Sequence, residues 1–271
     1  MSGGSRGIGL SIAVALARAG ARIALMAKTD QPHPKLPGTI HTAAAEIEAA
    51  GGAALPVVGD VRDESQVEAF VAAAAERWGR IDVVVNNASA INLAPIADLP
   101  PKRYDLMLDV NARGTFLLTR AALPHLRASD HAHVLTLSPP LSADPRWLRG
   151  HAAYTLSKMG MTMLTLGLAE DERAHGVGAN CLWPRTLIAT AAVQNLLGGD
   201  RAMAQSRTPG IVADAARIIL ERDPRAATGN AYVDDEVLAA SGVTDLERYR
   251  ASTDGELALD LFVTGWPEPA A

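Results

Sequence analysis

The sequence predicts an α/β fold built on a single doubly wound parallel sheet, a Rossmann-type architecture, and three observations predict it. Short aliphatic runs alternate with longer Ala-rich segments whose apolar residues recur at helical spacing. A glycine-rich turn opens directly into the first helical segment. The chain has 271 residues, 48% of them hydrophobic, which is enough for one sizeable core. Such alternation is typical of a parallel sheet that helices cover on both faces.

The individual elements follow from this alternation. We expect strands over Arg22–Ala27, Ala53–Val58, Ile81–Val85, Val134–Leu137 and Gly178–Leu182. We expect helices over Gly9–Arg18, Thr39–Ala50, Glu64–Trp78, Val110–Leu126, Ala153–Ala174 and Ile211–Glu221. Asp63, with Gln66 three residues later, predicts a capped start for the third of these helices.

We expect one domain over residues 1–271, because no linker or internal repeat divides the chain. The insert Asp30–Gly38 holds three prolines and is expected to form an ordered surface loop. From about Ala239 onward the pattern weakens into a C-terminal tail that is too short for a second domain. We expect this tail to cover the substrate cleft or a subunit contact.

Composition excludes several classes of function. The net charge of -5 comes from interspersed charges, so nucleic acid is not an expected partner. No apolar run is long enough for a membrane span and no leader peptide is visible, so we expect a cytoplasmic protein. No metal-ligand spacing occurs, and no metal is expected. The single cysteine, Cys181, lies in a predicted buried strand, where a structural role is favoured over a reactive one.

The glycine-rich turn predicts a dinucleotide site. Its backbone N–H groups and the positive end of the following helix could hold a pyrophosphate, although a glycine turn alone is also compatible with a simple tight turn. The second strand follows at the expected distance, which favours the cofactor site. The candidate cofactor residues of this turn are Gly3, Ser5, Arg6, Gly7, Ile8 and Gly9.

The end of the Arg22–Ala27 strand favours NADP(H) over NAD(H). A site selective for NAD presents a carboxylate there, whereas a 2′-phosphate requires cations. Here the strand is followed by Lys28, and Arg6 can supply a second positive charge. The nearby Asp30 leaves NAD open, and Lys28 could instead be a solvated loop charge.

The candidate catalytic pair is Tyr154 and Lys158, because residues four apart on a helix lie on one face. A nearby ammonium lowers the pKa of a phenol and makes it a usable acid or base. The alternative is a stacked aromatic ring beside a solvated lysine. Ser138 follows the Val134–Leu137 strand, where ligands of such sheets bind, and its hydroxyl can orient a carbonyl group.

Together with Asn86–Ser89 and Asn111, these residues resemble the short-chain dehydrogenase/reductase family across nearly the whole chain. The resemblance implies that Tyr154 is the general acid/base, Lys158 binds the nicotinamide ribose, Ser138 polarises the carbonyl and Asn111 positions a proton-relay water. It also implies further cofactor contacts at Asp60, Val61, Asn87, Ala88, Ser89 and Pro184. Relatives can carry an added sterol-carrier domain, which we do not expect here.

The chain departs from the family pattern at three places. Pro139 and Pro140 follow Ser138, and its spacing to Tyr154 is longer than usual, which predicts a reshaped cleft. Arg185 stands where the family has glycine, so the contacts predicted for residues 186–190 depend on that loop. Only Met1 and Ser2 precede the glycine turn, so the first strand is missing. Its absence would open a gap of about 10 Å, and we expect the natural product to begin about ten residues upstream.

The predicted function is hydride transfer between NADP(H) and a lipid-like carbonyl or secondary alcohol, by a homo-oligomer that associates through the Val110 and Ala153 helices. The predicted apolar walls are Trp147, Leu148, Trp183 and Leu187. Two alternatives remain open: a nucleotide-sensing or interaction protein without turnover, and a carrier of apolar ligands.

Overall fold

A computed structural model describes residues 1–34 and 36–266, and its strands confirm the predicted α/β class. All strand pairs are parallel, and β1 pairs with β2 while the others run in the order β3-β4-β5-β6. The strands are β1 (Arg22–Ala27), β2 (Ala53–Val58), β3 (Val83–Asn86), β4 (His133–Thr136), β5 (Gly178–Trp183) and β6 (Ala231–Val233).

Helices cover both faces of the sheet. On one face, α1 and α8 pack against β3, β4 and β5 in a core that includes Ile12 and Ile219. On the opposite face α3, α5 and α6 enclose a second core that includes Phe70 and Leu126. The helices are α1 (Gly7–Arg18), α2 (Ile40–Ala49), α3 (Glu64–Trp78), α4 (Pro101–Met107), α5 (Gly114–Leu126), α6 (Ala152–Asp171), α7 (Gly199–Ala204), α8 (Gly210–Leu220) and α9 (Asp234–Ala240).

Among residues 1–34 and 36–266, no strand lies in space between β1 and β3, and the strands form two separate sets as predicted. Ser2 forms parallel bridges with Met26 of β1 and with Asn86 of β3, so only the first residues occupy the space between these strands. Beneath them lies a cavity of about 460 Å³ whose lining includes Ala24 and Val83. The two strand sets are therefore joined at their carboxyl ends, where the candidate site lies.

Several predicted boundaries needed correction. The helix expected from Val110 is the continuation of α4, which begins at Pro101, a residue suited to a first helical turn. A π-helical turn, Leu108–Arg113, joins α4 to α5. The strand β6 and the helix α9 were not predicted, because three strand residues carry too short a pattern.

The Asp63 side chain accepts a hydrogen bond from the Gln66 N–H at 3.1 Å, which confirms the predicted cap of α3. Residues 30–34 and 36–38 form the expected surface loop, whereas Lys35 lies outside the described residues. The end of the predicted tail, 267–271, also lies outside them. In the part of the chain that the structure describes, no helix combines the length and the apolar character that crossing a bilayer requires.

Candidate active site

The candidate catalytic pair lies on α6, with Tyr154 and Lys158 one turn apart as their spacing predicts. Both side chains are buried, at 5% and 3% exposure. The Lys158 Nζ atom donates a hydrogen bond to the carbonyl oxygen of Leu137 at 2.7 Å. It also lies 5.1 Å from the centre of the Trp183 ring, a cation–π distance. The ammonium is thus fixed between the end of β4 and the end of β5.

Ser138 is fully buried in the loop after β4, which ends at Thr136. Its neighbours are tied to α6 on both sides, because Lys158 bonds the Leu137 carbonyl and the Thr162 hydroxyl donates to the Pro139 carbonyl at 2.7 Å. The Ser138 Oγ atom has no nitrogen or oxygen hydrogen-bond partner among the described residues. It lies near the buried Cys181 thiol, and this contact partly offsets the rise in the thiol's pKa that burial causes. A buried hydroxyl without a partner is costly unless a ligand completes it. Ser138 is therefore held close to α6, but no hydrogen bond links it to Tyr154.

Asn111 lies within the π-helical turn and is fully buried. Its Oδ1 atom accepts from the Ala90 N–H at 2.7 Å, and its Nδ2 atom donates to the Ala90 carbonyl and to Ser157 Oγ at 3.0 and 2.9 Å. The Ser157 hydroxyl in turn donates to the carbonyl oxygen of Tyr154 at 2.8 Å. This chain of bonds fixes the main chain that carries Tyr154. Ser157 was not predicted, since its role arises only from a contact with a distant helix.

The glycine turn lies at the carboxyl ends of β1 and β3. Gly3 and Gly7 have positive φ angles of 69° and 56°, which favour glycine. A Cβ atom on Gly9 would lie 2.4 Å from Asn87 Nδ2, so this position has no room for a side chain. Asn87 Nδ2 donates to the Gly3 carbonyl at 2.8 Å, and the Ala88 N–H donates to Ser2 Oγ at 3.1 Å. Asn87 and Ala88 thus hold the turn that precedes α1.

The remaining residues of the turn prepare the start of α1. Ser5 is buried and Ile8 is half-buried against the core. Arg6 is the residue before the helix, and its side chain makes no capping bond to the first turn. The first amide groups of α1 are thereby left for another acceptor.

The cations predicted for a 2′-phosphate lie on the same edge. Lys28 Nζ lies 3.0 Å from Asp60 Oδ2, with the lysine side chain 64% exposed. Arg62 also pairs with Asp60, at 2.6 Å, and the pKa of that carboxyl is well below its usual range, mainly through the bond from Arg62. Arg6 donates weakly to the Gly38 carbonyl, at 3.4 Å. Asp30, the group that could favour NAD, is paired with His41 at 2.7 Å.

Two of the predicted adenosine contacts differ in exposure. Val61 is buried, and a Cβ atom on Gly114 would lie 2.9 Å from its Cγ2 atom. Val61 therefore packs against Gly114, in addition to its predicted contact with the adenosine. Ser89 is exposed after β3.

The loop after β5 contains Pro184 and Arg185, both buried. The Arg185 guanidinium turns inward and pairs with Asp235 at 2.6 Å, and it also bonds Glu236. Thr186 Oγ1 is buried without a hydrogen-bond partner among the described residues. Further along, Thr190 reaches the glycine turn, since a Cβ atom on Gly7 would lie 3.3 Å from its Cγ2 atom.

The segment 258–266, which we name the C-terminal strap, lies over Tyr154. Phe262 of the strap belongs to the same apolar cluster as Tyr154, Trp147 and Trp183. Of the other predicted walls, Leu148 is exposed, and Leu187 is half-buried. The strap was predicted as a possible cover, but Phe262 itself was missed because no local pattern links it to Tyr154.

Burial governs the electrostatics of the pair. Desolvation, together with the charge of Asp260 on the strap, raises the pKa of Tyr154. Desolvation lowers the pKa of Lys158 to about 7, against the opposing influence of Asp260. The same cause raises the pKa of Asp260 to about 7. Burial thus moves each pKa in the direction that favours the neutral form, and at pH 7 Lys158 and Asp260 are each still partly charged.

A nicotinamide dinucleotide fits the residues present. The uncapped start of α1 offers amide donors for a pyrophosphate. Buried polar atoms without partners among the described residues include three on predicted site loops, namely Arg6 Nε in the glycine turn, Ser138 Oγ after β4 and Thr186 Oγ1 after β5. Such atoms are the expected contacts of a missing polar ligand.

Comparisons with known proteins agree with this geometry. The family model described as short chain dehydrogenase matches residues 1–199. Hydroxysteroid dehydrogenase-like protein 2 of Xenopus tropicalis is 48% identical over 271 residues, which are 100% of this chain and 64% of that protein. The chain thus spans about two thirds of the length of this curated relative.

Solved structures share the fold over most of the chain. A short chain dehydrogenase from Mycobacterium thermoresistibile has a TM-score of 0.92 at 54% identity, covering 97% of this chain and 93% of that one. A metagenomic short-chain oxidoreductase in complex with NADP has a TM-score of 0.70 at 27% identity, covering 86% and 93%. The glycine turn, the Tyr154–Lys158 pair and these matches lead to one conclusion: the chain belongs to the short-chain dehydrogenase family, whose members use nicotinamide cofactors.

Proposed function

We propose that the chain is an NADP(H)-dependent oxidoreductase (EC 1.1.1.-) that interconverts a carbonyl group and a secondary alcohol on an apolar, lipid-like substrate. The observation that carries the proposal is the buried pair Tyr154 and Lys158 on one face of α6, beside the unpartnered hydroxyl of Ser138. An acid, a cation and a carbonyl-orienting donor are the groups that this chemistry requires.

In the reduction direction, Tyr154 gives its phenolic proton to the carbonyl oxygen, and in the oxidation direction it accepts that proton. Bound NADP(H) supplies or accepts the hydride. Ser138 donates a hydrogen bond to the same oxygen and holds it in position. Lys158, as a cation, stabilises the phenolate that proton transfer leaves on Tyr154. Asn111, through Ser157, holds the main chain of Tyr154 in place.

The preference for NADP(H) rests on charge at the end of β1. Lys28 and Arg6 are cations on this edge, and the Lys28 side chain is exposed to an incoming phosphate. Asp30 Oδ1 is paired with His41, so part of the accepting capacity of this carboxylate is already used. The named neighbour that carries NADP supports the same assignment.

The apolar character of the substrate follows from the walls around Tyr154. Trp147, Trp183 and Met107 lie in the same cluster as the phenol. Apolar walls of this kind favour substrates with alkyl or ring surfaces, since burial of such surface is the main source of affinity.

We also propose a homo-oligomer through α5 and α6. Large apolar side chains are exposed on these helices, namely Phe116, Leu156, Met163 and Leu164, at 48%, 54%, 64% and 41%. Exposed apolar surface on adjacent helices is typical of a protein–protein contact. Analytical ultracentrifugation of the wild type and of Met163→Glu tests it, with a monomeric variant expected.

A second candidate function is a nucleotide-binding protein without turnover. One observation favours it: Tyr154 is only 5% exposed beneath the strap. The two functions are separated by a screen of ketones and secondary alcohols of graded chain length with NADPH and NADP. The enzyme converts at least one ketone with consumption of NADPH, whereas a sensor binds NADPH and converts none.

A further inference from the structure

The C-terminal strap is tied to the loop after β5 by main-chain bonds. The Leu187 N–H donates to the Ala258 carbonyl at 3.0 Å, and the Asp260 N–H donates to the Arg185 carbonyl at 2.9 Å. The Trp183 indole N–H donates to the Leu261 carbonyl at 2.7 Å. The strap therefore forms an extra layer over the loop that carries Arg185.

Phe262 anchors the strap inside a box of aromatic rings. Its ring centre lies 5.8 Å from that of Trp183, 5.9 Å from Trp147, and 6.2 Å from both His151 and Tyr154. Phe262 is only 3% exposed. These distances are those of packed aromatic pairs, so the ring fills the space beside the phenol.

The backbone at Phe262 is unfavourable without these contacts. Its φ of 72° is positive, and no other non-glycine residue in the described ranges, 1–34 and 36–266, has a positive φ. A bulky side chain rarely adopts this region, because it costs free energy that the surroundings must offset. The ring contacts and the hydrogen bonds to the loop after β5 together offset this local backbone cost and hold the strap in place.

The closed strap is incompatible with chemistry at Tyr154. A reacting carbonyl must come within hydrogen-bond distance of the phenol, yet Tyr154 is 5% exposed and Phe262 lies against it. The half-buried Asp260 also faces the pair, and its charge opposes formation of a phenolate on Tyr154. Movement of the Phe262 ring would open the space beside the phenol.

We propose, on the basis of the proposed function, that Phe262 controls access to Tyr154 and that substrates reach the phenol by taking the place of its ring. A ligand with an extended alkyl chain or a flat ring system restores the apolar contacts with Trp147 and Trp183 that the departing ring gives up. A small polar carbonyl restores none of them. The substrate class is therefore ketones and alcohols with a large apolar group next to the reacting carbon.

The first experiment compares kcat/KM for acetone and 2-nonanone with NADPH in the wild type, Phe262→Ala and Phe262→Leu. Leu259→Ala is the matched control, because Leu259 is on the same strap and its side chain is 37% exposed. The wild type should prefer 2-nonanone strongly. Phe262→Ala removes the cost of moving the ring for both ketones, so kcat/KM should rise by about tenfold or more for each of them while the preference for 2-nonanone is kept. Phe262→Leu should lie between them, and Leu259→Ala should match the wild type. A kcat/KM for acetone that does not rise in Phe262→Ala would overturn the proposal.

The second experiment needs no turnover and separates this proposal from the function on which it rests. Amide hydrogen exchange of the strap is measured with NADPH alone, with acetone added and with 2-nonanone added. Only 2-nonanone should accelerate exchange at the Asp260 amide, whose bond to Arg185 opens when the ring leaves. Equal exchange with both ketones overturns the proposal. If no ketone is reduced while 2-nonanone still opens the strap, the proposed oxidoreductase function fails and the role of Phe262 in ligand selection stands.

Discussion

The Lys158 Nζ atom donates to the carbonyl oxygen of Leu137 at 2.7 Å, and this bond joins the candidate catalytic helix to the residue directly before Ser138. Lys158 is thus placed both to act on Tyr154 and to hold the Ser138 loop. The Thr162 bond to Pro139 reinforces the loop from the other side, so the two prolines after Ser138 do not release it from α6. One lysine therefore connects the acid and the hydroxyl donor of the proposed site.

Replacing Lys158 with Met tests this connection. We expect kcat to fall by about 10²- to 10⁴-fold, the usual contribution of a proton-transfer group that depends on it. Burial lowers the pKa of Lys158 to about 7, so the lysine loses its charge as the pH rises through 7. Because the charged lysine stabilises the phenolate, wild-type kcat should fall as the pH rises through this range. The pH profile of kcat is the measurement. A profile of Lys158→Met that retains the wild-type step near pH 7 would assign that step to another group.

Replacing Lys28 with Ala tests cofactor choice. The variant should bind NADPH about tenfold more weakly, a loss typical of one charge-assisted hydrogen bond, while NADH affinity stays unchanged. Lys102→Ala is the matched control, since Lys102 is exposed on α4, outside the site. Fluorescence titration gives both dissociation constants. Equal weakening toward NADPH and NADH would mean that Lys28 does not contact the 2′-phosphate.

Replacing Arg185 with Ala tests the departure from the family glycine. The guanidinium pairs with Asp235, whose side chain is 3% exposed, and its loss leaves that carboxylate without its nearest partner. We expect the free energy of unfolding to fall by about 3–5 kcal/mol, as for one broken buried pair. The exposed Arg149→Ala is the control. Urea unfolding measures both, and the added change Asp235→Asn should recover part of the loss. A loss no greater than that of Arg149→Ala would show that the pair is not stabilising.

Replacing Asp260 with Asn tests the charge that the strap carries. Folding raises the pKa of Asp260 from 3.8 to about 7. The folded state therefore holds the proton more tightly, and the stabilisation present below pH 3.8 is lost as the pH rises to 7, by at most about 1.4 kcal/mol per pH unit. The variant lacks this dependence, so its free energy of unfolding should fall less than that of the wild type between pH 4.5 and 7.5 in urea titrations. Parallel curves for the two proteins would contradict the shift.

The sequence was most informative where pattern and boundary signals are local. The strands β1 and β2 and the helix α3 have the predicted bounds, because aliphatic runs, glycines and the Asp63 cap mark their ends. Tyr154 and Lys158 could be paired because helical spacing alone places them together. Long-range features could not be predicted. Phe262 is 108 residues from Tyr154, and Arg185 is 50 residues from Asp235, its partner at the start of α9.

Arg185, which stands where the family has glycine, illustrates why a sequence pattern does not predict such long-range contacts. The pattern alone predicted only the loss of a residue that permits close approach. In the structure the side chain turns away from the cleft, binds two carboxylates and donates to the Gly265 carbonyl at 2.6 Å. The same residue therefore connects the cofactor-side loop with the strap over Tyr154.

The most direct test of the proposed chemistry is Tyr154→Phe, assayed with NADPH and a ketone that the wild type reduces. Phenylalanine keeps the ring and its packing but removes the proton that the reaction needs. We predict that kcat/KM falls by about 10²- to 10⁴-fold, while the dissociation constant of NADPH stays within about twofold of the wild-type value. A variant that reduces the ketone as fast as the wild type would contradict the assignment of Tyr154 as the acid.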